Sequence, residues 1–433
     1  MGEEVPKESQ TIAAVRSARL AEKISLTKSG FNITRAWWNN TISEALGLIA
    51  VLFLNLYLVY PFFGTASPDV VFSGPVVPLI AKVIEYFGVP LQYSMQIVNI
   101  IFFLLFPFSF YFFVKKITGR KLISMLSVLM VSLPFYPFGE VRAKAALLGI
   151  ESSHMATLAI IPLALYGLLN FARDGKILDL VIASISAGVV ALISPFGFLT
   201  FSILAAVTAF SEVLLGRGRL KLIRLIAVLV FAGGLNSFWY NPVFFYWMIT
   251  GPIGEDVRLM ISRLIPISFF MLPIFGSFGF LFFDRKPDLQ SLFMASFFTI
   301  AFATIVIAGG GFFPENPSRY APEFGISLAF LLGVVVVKFT DYLKSSKGRL
   351  FAHFFIVLSI LFSFVAIIFG RDNLIKTQTN VLGMWTGVEK GEIWIAKDKF
   401  RGASQVLGYV ITVISLSTLA FLGVKVNKVD AAQ

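Results

Sequence analysis

Few residues in this chain could carry chemistry, because 14% are charged, two are histidine and none is cysteine. Asp69 is the sharpest candidate. It follows Pro68 in the Pro/Gly-rich stretch 64–92 and precedes Val70-Val71-Phe72. A carboxylate on a turn beside an apolar patch is desolvated, which suits it to take a proton from an attacking hydroxyl. The same residue type also caps turns without doing chemistry. A second group lies in residues 137–154: Glu140, Arg142, Lys144, Glu151 and His154. Two cations near two carboxylates can receive a phosphate and its sugar, or form a solvated, salt-bridged loop. Arg319, in the run Pro317-Ser-Arg-Tyr, stands just before an apolar segment. It can clamp a lipid phosphate or snorkel to the interface. Trp239 and Tyr240, with Tyr246 and Trp247, flank Asn241-Pro242. They read as an aromatic belt or as a platform for a sugar face.

The elements that must position these residues are apolar runs. The chain has 433 residues, 57% of them hydrophobic and 15% aromatic. Soluble domains carry roughly 25% charged residues. This composition, in runs of near-spanning length, predicts an all-α polytopic membrane protein. Twelve spans are expected (11–13), at about 45–63, 93–114, 122–136, 155–172, 177–194, 198–215, 222–239, 264–283, 289–308, 325–337, 350–370 and 407–424. The third and tenth are short, and the fifth and sixth form a tight hairpin around Ser194-Pro195.

Charge fixes the expected orientation. With Met1 cytoplasmic, the inner segments hold 24 of the 36 Lys and Arg, and six of the remaining 12 fall in the long outer loop 371–405. The bias predicts that both termini are cytoplasmic and accounts for the net charge of +12 without nucleic acid. Residues 1–44 form a cytoplasmic segment with a basic interfacial helix at about 11–24. Residues 45–345 form the transmembrane core. Residues 346–433 form a helix pair around the loop 371–405. No cleavable signal peptide is read at the N-terminus. In the first outer loop, Leu79, Ile80, Val83, Ile84 and Phe87 recur at helical spacing, with Lys82 and Glu85 opposite. This predicts an amphipathic helix over 76–87 on the outer leaflet. No span carries an acid or base near its centre, which counts against an ion-coupled transporter. Asn55, Asn99 and Asn236 can pair between helices.

Several segments together resemble the GT-C superfamily of membrane glycosyltransferases, in particular its uncharacterised archaeal and bacterial branch related to YfhO-type proteins. Asp69 lies in the right first outer loop. Leu158-Ala-Ile-Ile-Pro-Leu-Ala-Leu-Tyr resembles that group's PLAL span, and Leu192-Ile-Ser-Pro-Phe-Gly-Phe-Leu-Thr its span ending in a THP-like turn. Phe238-Trp-Tyr-Asn-Pro resembles the FWLLP turn, and Pro317-Ser-Arg-Tyr the PWRF turn. These motifs run collinearly through residues 45–345. The resemblance implies sugar transfer from a polyprenyl-phosphate donor to an acceptor on the outer face of the cell membrane. It makes Asp69 the catalytic acid or base, and the holder of any divalent metal (Mg or Mn). It makes Arg319, with Arg142 or Lys144, a contact for the donor phosphate, and places Glu140, His154, Trp239 and Tyr240 around the substrate. Membrane lipids and the polyprenyl-phosphate sugar are the implied partners. Asp69 has no partner acid, and the family's large C-terminal outer domain is missing. A non-catalytic GT-C-like subunit or scaffold of a membrane complex is therefore the second reading. A twelve-span transporter is the third.

Overall fold

The computed structural model describes residues 41–68, 74–149, 152–214, 218–250, 289–308, 320–345, 349–376 and 402–430. The chain divides into two compact units, residues 1–50 and residues 51–433. Of the first unit, residues 41–50 are described, as the opening turns of helix α1 (Thr41–Phe62). Within the second unit all described regular structure is helical. After α1 come α2 (Val76–Tyr86), α3 (Leu91–Thr118), α4 (Lys121–Val131), α5 (Gly139–Leu147), α6 (Ser152–Asp174) and α7 (Ile177–Ile193). Then follow α8 (Pro195–Leu214), α9 (Gly218–Asn236), α10 (Pro242–Thr250), α11 (Gln290–Ala308), α12 (Ala321–Ser345), α13 (Arg349–Lys376) and α14 (Ala403–Asp430).

Six of these helices are long and apolar enough to cross a bilayer: α1, α3, α6, α8, α12 and α14. Shorter apolar helices occur at Lys121–Val131, Ile177–Ile193, Gln290–Val306 and Phe354–Ile368. The protein is thus an all-helical membrane protein with several spans. Its outward apolar side chains agree. Leu361 on α13 is 58% exposed and Phe421 on α14 is 67% exposed. Side chains of this kind, repeated along whole helices, mark a surface made for lipid or for a partner rather than for water.

Local sequence sets the helix ends. Gly119 adopts a left-handed conformation and its N–H closes the last turn of α3 on Lys115. Ser194 is extended, as a residue before proline must be, so α7 stops there and Pro195 opens α8. The expected hairpin at this dipeptide is present. The expected third span is a helix of 11 residues. The tenth departs from expectation: α12 runs for 25 residues, because Lys338 and Asp341 lie inside its last turns and do not end it. The expected span at 264–283 and the basic helix at 11–24 lie outside the described residues.

Helix α6 is the hub. It packs against α3, α5, α7, α8 and α9, and 78% of its apolar window is buried, against 11% for α14. Gly167 lets it approach α7: a Cβ there would lie 3.2 Å from the backbone of Ala183. Helix α2 packs Val77 and Ala81 onto Met95, Val98, Ala156 and Ile193. Its Leu79, Val83, Tyr86 and Phe87 stay exposed. The expected helix over 76–87 therefore exists, with three faces instead of two: one packed, one apolar and open, one carrying Lys82 and Glu85.

Candidate functional site

Three helices begin at one place. His154 stands in the first turn of α6, Thr200 in the second turn of α8 and Glu323 in the first turn of α12. His154 and Glu323 are 1% and 2% exposed, and Nε2 lies 2.8 Å from Oε1. That contact is short but lies off the line of a well-directed hydrogen bond, and His154 Nδ1 has no hydrogen-bond partner. Thr200 donates to the same Oε1 at 3.0 Å. The ring of Tyr320 meets the imidazole edge-on, with centroids 5.5 Å apart. The second carboxylate oxygen, Oε2, is buried and without a partner. Glu323 lines a cavity of about 30 Å³ between α3, α6, α8, α11 and α12. The wall is apolar, formed by side chains such as Phe106, Phe110, Phe302 and Phe330. It has room for a water molecule or part of a hydrocarbon chain, but not for a sugar.

Arg142 occupies the next compartment, which shares Phe106 and Leu158 with the first. It is 3% exposed. Its guanidinium donates to Asn55 Oδ1 at 3.0 Å and to the Phe103 carbonyl at 3.3 Å. It also stacks 3.9 Å from the Phe103 ring centre and 4.8 Å from that of Phe106. Burial pulls its pKa down to about 9, so it keeps its charge at neutral pH. Asn55 also donates to Ser132 at 3.1 Å, tying α1 to the segment after α4. Beside Arg142 on α5, Lys144 and Glu140 pair with each other one turn apart, half-buried.

The loop that carries Asp69 is anchored at both described ends. Ser67 N donates to the Gln92 carbonyl at 3.0 Å, and its hydroxyl accepts from Asn99 at 3.4 Å. Gln96 reaches back to Thr65 and across to the Leu147 carbonyl, each at 3.2 Å. On the return, Gly74 lies so close to the end of α7 that a Cβ would stand 2.2 Å from the Leu192 carbonyl. Asp69 and Arg319 themselves lie outside the described residues. Tyr240 is buried against Ala191 and Phe244, donates to the Ala191 carbonyl at 2.6 Å, and has its pKa pushed up by burial. Trp239 packs against that same cluster.

A second polar cluster marks the other end of α6. Glu212 on α8 is 1% exposed. Its Oε1 accepts from Arg173 and from Gln290, both at 2.7 Å. Its Oε2 accepts from Lys221 at 2.8 Å. Arg120 and Asp341 form a further ion pair, between the start of α4 and the end of α12.

Glu323, Thr200 and Asn55 are thus the functional-looking side chains that site assignment from sequence does not reach. One signal for Glu323 is present: Ala321-Pro322-Glu323 is a helix opening with proline and an acid in the first turn. Among the described residues no three His, Asp or Glu side chains gather to hold a metal ion, and Asp69, the expected holder of a divalent cation, lies outside them. Comparison of the chain with protein-family models, with curated proteins and with solved structures finds no match.

Proposed function

We propose that this membrane protein is a glycosyltransferase of the GT-C kind, moving a sugar from a polyprenyl-phosphate donor to an acceptor at the face where α6 and α12 begin. The observation that carries the reading is the His154–Glu323 contact at the edge of an apolar cavity inside the helix bundle. Ionisable groups are costly among membrane helices and are kept there for work. An imidazole touching a carboxylate can accept a proton and hold it. The apolar slot next to it suits the lipid part of a carrier, and the sugar would sit outside the slot. In the proposed step, the acceptor oxygen attacks the anomeric carbon and its proton goes to Asp69. The bond from that carbon to the phosphate oxygen breaks, and polyprenyl phosphate leaves. Arg319 and Lys144 offset its charge. The His154–Glu323 pair takes the proton from Asp69 and passes it on to water, which resets both for the next cycle. The proposal keeps twelve spans, both termini in the cytoplasm, and the apolar face of α2 in the outer leaflet.

Of the other readings, the same buried pair favours the transporter, as a carrier that moves protons with its solute. One experiment separates the two. The wild type, Asp69→Asn, His154→Gln and Glu323→Gln are purified and supplied with radiolabelled polyprenyl-phosphate sugars. Transfer by the wild type, reduced at least ~100-fold in Asp69→Asn, is expected. Equal transfer by both would remove Asp69 from the mechanism. No transfer from any donor, with acidification of vesicle interiors that Glu323→Gln abolishes, would replace the transferase by the carrier.

A further inference from the structure

Arg142 poses a problem of charge that the function above does not use. It is a cation, 3% exposed, and no carboxylate among the described residues contacts it. Its hydrogen bonds go to neutral groups, the Asn55 amide and the Phe103 carbonyl, and its Nε has no partner. Carbonyl dipoles and two phenyl faces offset part of the desolvation, yet a buried ion normally has a counter-ion. Beside it lies a cavity of about 10 Å³, bordered by Asn99, Phe102, Ala146 and Met155 as well as Arg142. That volume admits one body the size of a water molecule. A phosphate or a carboxylate is larger than this space.

We propose that the Arg142 cavity binds one small monoanion of the halide class, chloride under physiological conditions. A halide is the smallest of the common anions, comes nearest to fitting the space and neutralises the guanidinium. It also suits the electropositive rims of phenyl rings whose faces are already occupied by the cation. Bound there, it fastens α5 to α3 and α6 directly behind the His154 compartment. The inference stands whether the protein proves to be a transferase or a carrier.

The test is thermal unfolding of the whole purified protein at constant ionic strength, with gluconate replaced stepwise by chloride. The expected result is a saturable rise in the unfolding midpoint on the order of 2–5 °C, reproduced by bromide and not by sulfate. Arg142→Met is expected to abolish the rise. Because that variant can fail to fold, Ala146→Val, which fills the cavity and leaves the charge, is measured beside it and is expected to lose most of the response. Crystals soaked in bromide are expected to show one anomalous peak beside Arg142. An unchanged midpoint for the wild type in chloride and gluconate overturns the proposal. So does a rise that Ala146→Val retains in full, or one that sulfate produces equally.

Discussion

Replacing Glu212 by glutamine changes one atom and one charge, and the structure says what that costs. Glu212 Oε1 accepts from Arg173 Nε at 3.0 Å, from its terminal nitrogen at 2.7 Å and from Gln290 at 2.7 Å. Oε2 accepts from Lys221 at 2.8 Å. A glutamine amide offers one oxygen. Turned one way, its NH2 confronts Lys221; turned the other, it confronts Arg173 and Gln290. Every partner is a donor toward it, so the clash is unavoidable and two cations lose their anion. Breaking a fully buried ion pair costs about 3–5 kcal/mol. The Arg173 and Lys221 side chains keep 30% and 15% exposure. Water reaches them, and the expected cost falls to about 2–4 kcal/mol. At roughly 2 °C per kcal/mol for a large domain, the midpoint drops by about 4–8 °C. The measurement is intrinsic-fluorescence melting in detergent at one fixed scan rate, because membrane proteins seldom unfold reversibly. Lys221→Met and the double variant complete a cycle, and a coupling above about 1 kcal/mol is expected between the two side chains. A Glu212→Gln protein that melts within about 1 °C of the wild type would refute the picture of a charge-bearing staple joining α8, α9, α11 and the end of α6.

Three further outcomes are expected. Gly325→Ala places a Cβ 1.9 Å from the Pro137 carbonyl, a backbone atom that cannot swing away, so α12 must shift. We expect a loss of about 3 kcal/mol, read as a lower melting midpoint, and a midpoint equal to the wild type would show that this contact relaxes freely. Asn55→Ala leaves the Arg142 guanidinium without its best acceptor and is expected to cost about 2–3 kcal/mol by the same assay; a change below about 0.5 kcal/mol, within the usual surface range, would mean that the cation finds another acceptor. The absence of cysteine makes single-site labels simple: a fluorophore on Val83→Cys is expected to be quenched by lipid-borne nitroxides in vesicles, and one on Glu85→Cys by aqueous iodide, whereas equal quenching at both sites would mean that α2 does not lie at the membrane surface.

Much of the helix layout is legible in sequence because it depends on one-dimensional signals. Apolar runs mark the helices, Ser194-Pro195 marks the break between α7 and α8, and spacing over 76–87 marks α2. The failures share a cause. In a membrane helix apolar residues lie on all sides, so periodicity says little about which face is packed. Lys338 and Asp341 resemble the edge of a loop, yet a helix can carry charges in its last two turns when these reach the headgroup level. Arg142 looks open to a phosphate in sequence, because a cation in a polar stretch is usually solvated. Its burial depends on Asn55, 87 positions earlier in the chain. Glu323 meets His154 only because α6, α8 and α12 begin together, and no local pattern encodes that meeting.

The two ends of α6 treat their buried carboxylates differently. His154 and Arg173 are 19 residues apart on that helix, so the polar clusters at its ends are separated by about 28 Å, close to the thickness of a bilayer's hydrocarbon core. Glu212 and Glu323 are about equally buried, at 1% and 2%. Their hydrogen bonding differs. Both oxygens of Glu212 are engaged, by two cations and an amide. One oxygen of Glu323 is engaged by Thr200 and faces His154, and the other has no partner and belongs to a residue that lines a cavity. A fully satisfied buried network gains rigidity, whereas a half-satisfied one costs free energy that packing elsewhere must offset. A protein that needed Glu323 only to hold helices together would do better with a second donor, as at Glu212. The unmatched oxygen is therefore the strongest structural reason to look for the protein's work at the His154 end of α6.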